Sequence, residues 1–145
     1  MNKNNFITVL VICFLLFCLI GVRFNEKDLF YDPFLAYFKS NKKTFPDVDF
    51  AKLIFSHLFR YFLNMTFSLG IIYFWFKNST YLKYSLMIFC ILFLILFPIY
   101  LYQINVNFSL GENPVFTIRR FLIQPVLLFV LIPSFYYIRF SQKKG

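Results

Sequence analysis

The sequence predicts an all-α integral membrane protein, with four transmembrane helices and one interfacial amphipathic loop segment. Three observations carry this. Of 145 residues, 60% are hydrophobic and 24% aromatic, and only 14% are charged, whereas a soluble domain has about 25% charged and about 45–50% apolar residues. Four segments approach the roughly 20 apolar residues needed to cross a hydrocarbon core about 30 Å thick. The single long polar stretch is itself threaded with aromatic rings. So few charges exclude a soluble globule of this size. The aromatic content excludes disorder, and the length excludes a large multi-domain enzyme. Residues 1–145 read as one membrane domain.

The first span covers residues 6–22 and is broken only by Thr8. Lys3 would supply a weak basic region for a signal peptide, but no small-x-small cleavage site follows, so a retained helix is favoured. Cys18 is preceded by Phe17, where lipoprotein processing requires a small residue. Cys13, Cys18 and Cys90 all sit in apolar runs without a C-x-x-C pair, and read as buried apolar fillers.

Residues 23–56 form the extramembrane loop. Asp32-Pro33 reads as an N-cap followed by proline at the first helical position. Phe34, Tyr37 and Phe38 then share one face of a short helix, expected to lie in the headgroup region with its rings in the acyl boundary. Ser40-Asn41-Lys42-Lys43 ends it. Thr44-x-x-Asp47 resembles a capping box with Pro46 in the first turn. From there helical spacing continues without a breaker to Phe76.

The second span covers 58–76, the third 84–102 with Pro98 near its end, and the fourth 120–138 with Gln124, Pro125, Pro133 and Ser134 inside. Residues 77–83 make a short loop. Residues 103–118 make a nearly uncharged one, with turns expected at Gly111 and Asn113-Pro114. Asn-x-Ser/Thr triplets at Asn64, Asn78 and Asn107 carry little weight, since the pattern is common by chance.

Four spans place both termini on one side. With that side cytoplasmic, the inner segments hold Lys3, Lys77, Lys83, Arg139, Lys143 and Lys144 and no acid, while the outer segments hold every Asp and Glu. The raw number of Lys and Arg leans the other way, but their density in the short inner segments favours cytoplasmic termini. The surplus of nine positive charges thus reads as membrane anchoring, with no nucleic-acid partner.

Polar side chains inside spans require partners. His57, Arg60, Asn64 and Ser68 recur at spacings of three, four and four, within about an 80° arc of one helix. Arg120 and Gln124 are four apart on the fourth span, beside Arg119, and Pro125 frees a carbonyl near that level that an arginine or glutamine could satisfy. Both stripes begin at the same side of the membrane, where Glu26, Asp28, Asp32, Asp47, Asp49 and Glu112 also lie. Three readings stay open: ion pairs that hold the helices together, arginines that meet lipid phosphate or a client's anionic group, or arginines that snorkel to the interface without a partner.

A catalytic site is hard to assemble from these residues. Ser56 adjoins His57, but neighbouring helix positions diverge by about 100°. Ser68 lies about 16 Å further along at 1.5 Å per residue. No intramembrane carboxylate suits a proton-coupled carrier, and no H-E-x-x-H, Walker A or glycine-rich nucleotide loop is present. One histidine and scattered cysteines predict no metal site, and nothing implies a cofactor.

At its polar motifs the chain resembles the exosortase F system-associated membrane proteins of flavobacteria and their relatives. The resemblance rests on Leu29-Phe30-Tyr31-Asp32-Pro33-Phe34, on Arg60-Tyr61-Phe62-Leu63-Asn64 with Ser68-Leu69, and on Arg119-Arg120-Phe121-Leu122-Ile123-Gln124-Pro125 closing at Pro133-Ser134-Phe135-Tyr136-Tyr137. It implies a bacterial inner-membrane location among membrane lipids and a polytopic partner, an exosortase. Exosortases are transpeptidase-like enzymes that use a cysteine, a histidine and an arginine. The cysteines here are not placed to match, so the resemblance implies a non-enzymatic accessory of a protein sorting system. The alternative from another class is a small membrane enzyme acting on a lipid-linked or phosphate-bearing substrate with His57 and Arg60 or Arg120.

Overall fold

The computed structural model describes residues 3–40 and 44–142. Every regular element among them is helical: α1 (Lys3–Phe24), α2 (Glu26–Leu29), α3 (Pro33–Lys39), α4 (Phe50–Phe76), α5 (Ser79–Asn105), α6 (Glu112–Ile123) and α7 (Val126–Gln142). The turn expected at Ser40-Asn41-Lys42-Lys43 falls mostly outside the described residues, with Ser40 as the C-cap of α3.

α4 is the central element, packing against α1, α5, α6 and α7. It begins later than the spacing suggests. Residues 44–49 are not helical, and the cap is Asp49, whose carboxylate accepts from the Lys52 amide at 3.3 Å. The box at Thr44 and Asp47 therefore does not form. Pro46 lies in the extended lead-in, where its missing N–H costs no helical hydrogen bond. α1 runs along α4 with Gly70 against Leu15; a Cβ at Gly70 would come within 3.1 Å of Leu15 Cδ1. One absent side chain thus lets two apolar helices approach closely.

The connection from α4 to α5 is only two residues long. Lys77 takes a left-handed φ of 51° and its amide donates to the Tyr73 carbonyl at 2.8 Å. Asn78 then caps α5 by accepting from the Thr80 amide at 2.8 Å. The expected loop at 77–83 shrinks because one asparagine closes the turn and starts the next helix. Past α5, the Gln103 carboxamide oxygen accepts from the Leu110 amide at 3.1 Å and folds the chain back. Gly111, at φ 93°, then precedes α6. Asn113-Pro114 is therefore not a turn but the first turn of α6, where a proline's missing donor would have had no partner anyway.

The fourth predicted span is not one helix. α6 and α7 meet at a 68° bend. Pro125 removes an amide donor and disfavours helical backbone at the residue before it, and Gln124 is extended at φ −112°, ψ 146°. Pro98 and Pro133 lie inside α5 and α7 without ending them.

Asn5–Phe24 of α1 and Ser79–Asn105 of α5 are long and apolar enough to cross a membrane, and the bent α6–α7 pair passes the same test if taken as one span. α4 is as long as α5 but carries the polar stripe. Only 11% of the apolar window of α1 and 17% of that of α5 are buried within the protein. Phe14, Phe17 and Leu94 therefore point outward, which suits hydrocarbon rather than water. Cys13 and Cys90 are exposed on these outer faces and are not the core fillers that their apolar neighbours suggest.

Candidate functional site

The sharpest cluster in the protein is built from the polar stripe of α4, the start of α3 and the middle of α6. The helical period places His57, Arg60, Asn64 and Ser68 on one face, and all four are buried, at 3, 2, 5 and 0% exposure. Arg60 pairs with Glu26 of α2 and lies 3.9 Å from Asp32. Asp32 in turn pairs with Arg119 of α6. The side chains of Arg60, Asp32 and Arg119 are at most 4% exposed. Two carboxylates therefore face two guanidiniums inside the protein, and the cluster is electrically neutral. Aromatic faces complete it: Phe30 lies 5.3 Å from the Arg60 guanidinium and Phe38 lies 5.9 Å from that of Arg119.

Asp32 occupies the N-cap position and Pro33 the first helical position, but the Asp32 side chain makes no capping bond. Its charge goes to the arginines instead. One carboxylate cannot serve both, and in this fold it faces the two buried guanidiniums. Phe34 departs from its expected place in the acyl boundary. It is fully buried, with its ring 5.3 Å from Phe108 and 5.5 Å from Phe45. Phe108 reaches this cluster from a left-handed backbone, φ 62°, held by its amide donating to the Gln103 carbonyl at 2.8 Å.

Asn64 closes the cluster on the other side. Its side-chain amide donates to the Ile123 carbonyl at 2.8 Å, at the end of α6 where the break leaves that oxygen without a helical donor. One carbonyl left free at the break, that of Ile123, is thus taken by asparagine. Ser68 is buried without a hydrogen-bond partner at Oγ.

Arg119 and Arg120 separate. Arg119 is buried in the cluster, while Arg120 is exposed, stacked 5.7 Å from Phe116 and 3.5 Å from the Gln124 carboxamide. Gln124 lines a groove together with Arg60 and Asn64. Ser134 stands apart and bonds its own helix at Val130. Of the six acids placed on this side by the sequence, Glu26 and Asp32 enter the cluster, and Asp49 caps α4. Glu112 accepts from the Tyr37 hydroxyl at 2.7 Å, which raises the Tyr37 pKa above its ordinary 10.0 by favouring the protonated phenol.

Tyr100 belongs to the cluster and was not among the expected residues. It is fully buried, its ring 5.3 Å from that of His57. Its place three residues before Gln103, on the same face of α5, is the signal that could have found it. Buried polar atoms without a hydrogen-bond partner here include Asp32 Oδ1, His57 Nε2, Tyr100 Oη, Arg60 Nε and Arg119 Nε. His57 uses its other nitrogen, Nδ1, with the Leu53 carbonyl at 3.0 Å. Such a cluster can lock α2, the start of α3, α4, α5 and α6 together. A reaction would require an opening, because a catalytic side chain must touch its substrate.

Among the described residues, no group of three or more His, Cys, Asp or Glu is placed to hold a metal ion. In comparisons with known proteins, no family model matches the chain, and no curated protein or solved structure matches it significantly.

Proposed function

We propose that this chain is a four-span, multi-pass protein of the bacterial inner membrane, with both termini cytoplasmic. It acts as a non-enzymatic accessory of an exosortase-type sorting system, and its partner is the exosortase or another polytopic membrane protein. α1, α4, α5 and the bent α6–α7 pair are the four crossings. α4 tolerates its polar stripe because α6 and the α2–α3 segment cover it.

The observation that carries this reading is the neutralised cluster. Arg60 and Arg119 already have Glu26 and Asp32 as counter-ions, and His57 is 3% exposed. His57 and Arg60, which a small membrane enzyme would use, are thus engaged in holding helices together, and only Arg120 of that set stays exposed. The outward faces of α1 and α5 are apolar and broad, as suits packing against lipid or another membrane protein. The resemblance at Asp32-Pro33-Phe34, Arg60 to Asn64 and Arg119 to Pro125 supplies the partner.

Affinity purification of the full chain from native membranes in a mild detergent tests the proposal, with co-purification of an exosortase expected. A preparation free of any exosortase would sink the assignment. Loss of surface-protein anchoring in a His57→Gln variant that folds and retains its partner would favour the enzyme instead.

A further inference from the structure

A groove runs between α1, α4 and the α6–α7 break, with a volume of about 380 Å³. That is within the range of roughly 300–1,000 Å³ typical of small-molecule sites. Its two ends differ in chemistry. Arg23, Arg60, Asn64 and Gln124 line one end. Leu16, Ile20 and Phe129 lie further along, with Leu16 about 10 Å from the level of Arg23 at 1.5 Å per helical residue. No carboxylate lines the groove. Arg23, in the last turn of α1, is exposed and forms no ion pair among the described residues. Arg60, almost fully buried, leaves its Nε–H without a partner. Val126, the first residue of α7, also lines the groove, so the positive end of that 17-residue helix adds to the same potential.

We propose that this groove holds one anionic phospholipid, with its phosphate at Arg23 and the start of α7 and one acyl chain along Leu16, Ile20 and Phe129. Charge complementarity selects the head: Arg23 and a helix N-terminus meet at one end with no acid among the lining residues, while Arg60, whose charge Glu26 already balances, adds only its free Nε–H donor. The apolar remainder selects a chain, which a free phosphate lacks. Arg23 at the end of the apolar α1 stands at the depth where headgroups lie. The inference rests on the membrane location and is independent of the exosortase partner.

The test is native mass spectrometry of the full chain released from nanodiscs of equal phosphatidylglycerol and phosphatidylcholine. Incorporation is scored first. A chain that does not enter the nanodiscs overturns both this site and the membrane reading. One retained phosphatidylglycerol is expected, enriched about fivefold over phosphatidylcholine, the scale of one interfacial arginine. Arg23→Gln should remove that enrichment, and Ile20→Trp, which fills the groove from its apolar side, should remove retention altogether. Arg139→Gln, an exposed arginine in the last turn of α7 and outside the groove, should leave both unchanged. Incorporation without enrichment overturns the site alone. So does enrichment that persists in both Arg23→Gln and Ile20→Trp, or displacement of the lipid by inorganic phosphate at millimolar concentration.

Discussion

The carboxylate of Asp32 accepts a hydrogen bond from the guanidinium of Arg119, 87 positions further along the chain. The pair joins the segment after α1 to α6, and Arg60 of α4 lies beside it. Removing one member of a buried pair leaves the other charge without compensation. Asp32→Asn should therefore destabilise the protein by about 3–5 kcal/mol, whereas Asp32→Asn combined with Arg119→Met should cost less than the sum of the single changes. Thermal unfolding of the detergent-solubilised variants checks this, and additive effects would refute the coupling.

Asn64 is the donor to the Ile123 carbonyl at the break. Asn64→Leu keeps the approximate volume and leaves that oxygen unpaired, at about 1–3 kcal/mol. Amide exchange should accelerate first around Val126 and Leu127, ahead of the rest of α7. Uniform acceleration across α4 instead would show that the bond does not hold the break.

Gly70 lets Leu15 approach α4. Gly70→Leu should overpack this contact and cost about 1–3 kcal/mol, with α1 becoming more accessible to protease while α5 does not. Gly70→Ala should be milder, because the atom it meets is the mobile end of the Leu15 side chain. Equal effects of the two substitutions would argue against steric crowding.

The Tyr37–Glu112 bond has a definite pH dependence. The folded-state pKa of Tyr37 is raised above 10.0, so its contribution is fully present below pH 10 and is lost as pH rises through the higher folded value. Melting temperature measured from pH 8 upward should fall in the alkaline range for the native chain. The Tyr37→Phe variant should start lower and lack that portion of the fall. Parallel curves would show that the phenol does not hold the loop to α6.

The α4 stripe was legible because 3.6-residue periodicity is a local property: His57, Arg60, Asn64 and Ser68 needed only their spacing to share a face. Arg119 and Arg120 were not separable in this way. Adjacent helix positions differ by about 100°, and which of them turns inward depends on where Asp32 lies in space. Asp32 itself read as a cap because capping is the local use of an aspartate before a proline. Its long-range use emerges only once α4 and α6 are side by side. Pro125 read as a proline within one continuous span that frees a carbonyl, because nothing local in the sequence says whether a span tolerates its proline, as α5 and α7 tolerate Pro98 and Pro133, or bends by 68°. The exposed cysteines misled for a related reason, since apolar neighbours in a membrane protein mark the lipid face as readily as the core.

The order of the charges along the chain matters during synthesis. Glu26 and Asp32 leave the ribosome before Arg60, and Arg60 before Arg119. Each arginine therefore emerges after the anion that will neutralise it, and α6 is the last element of the cluster to join. On the proposed four-span arrangement, a nascent chain inserting in this order need never hold one of these guanidiniums in the bilayer without an available counter-ion. Permuting the chain so that α6 precedes α2 would remove that protection while leaving the final contacts unchanged.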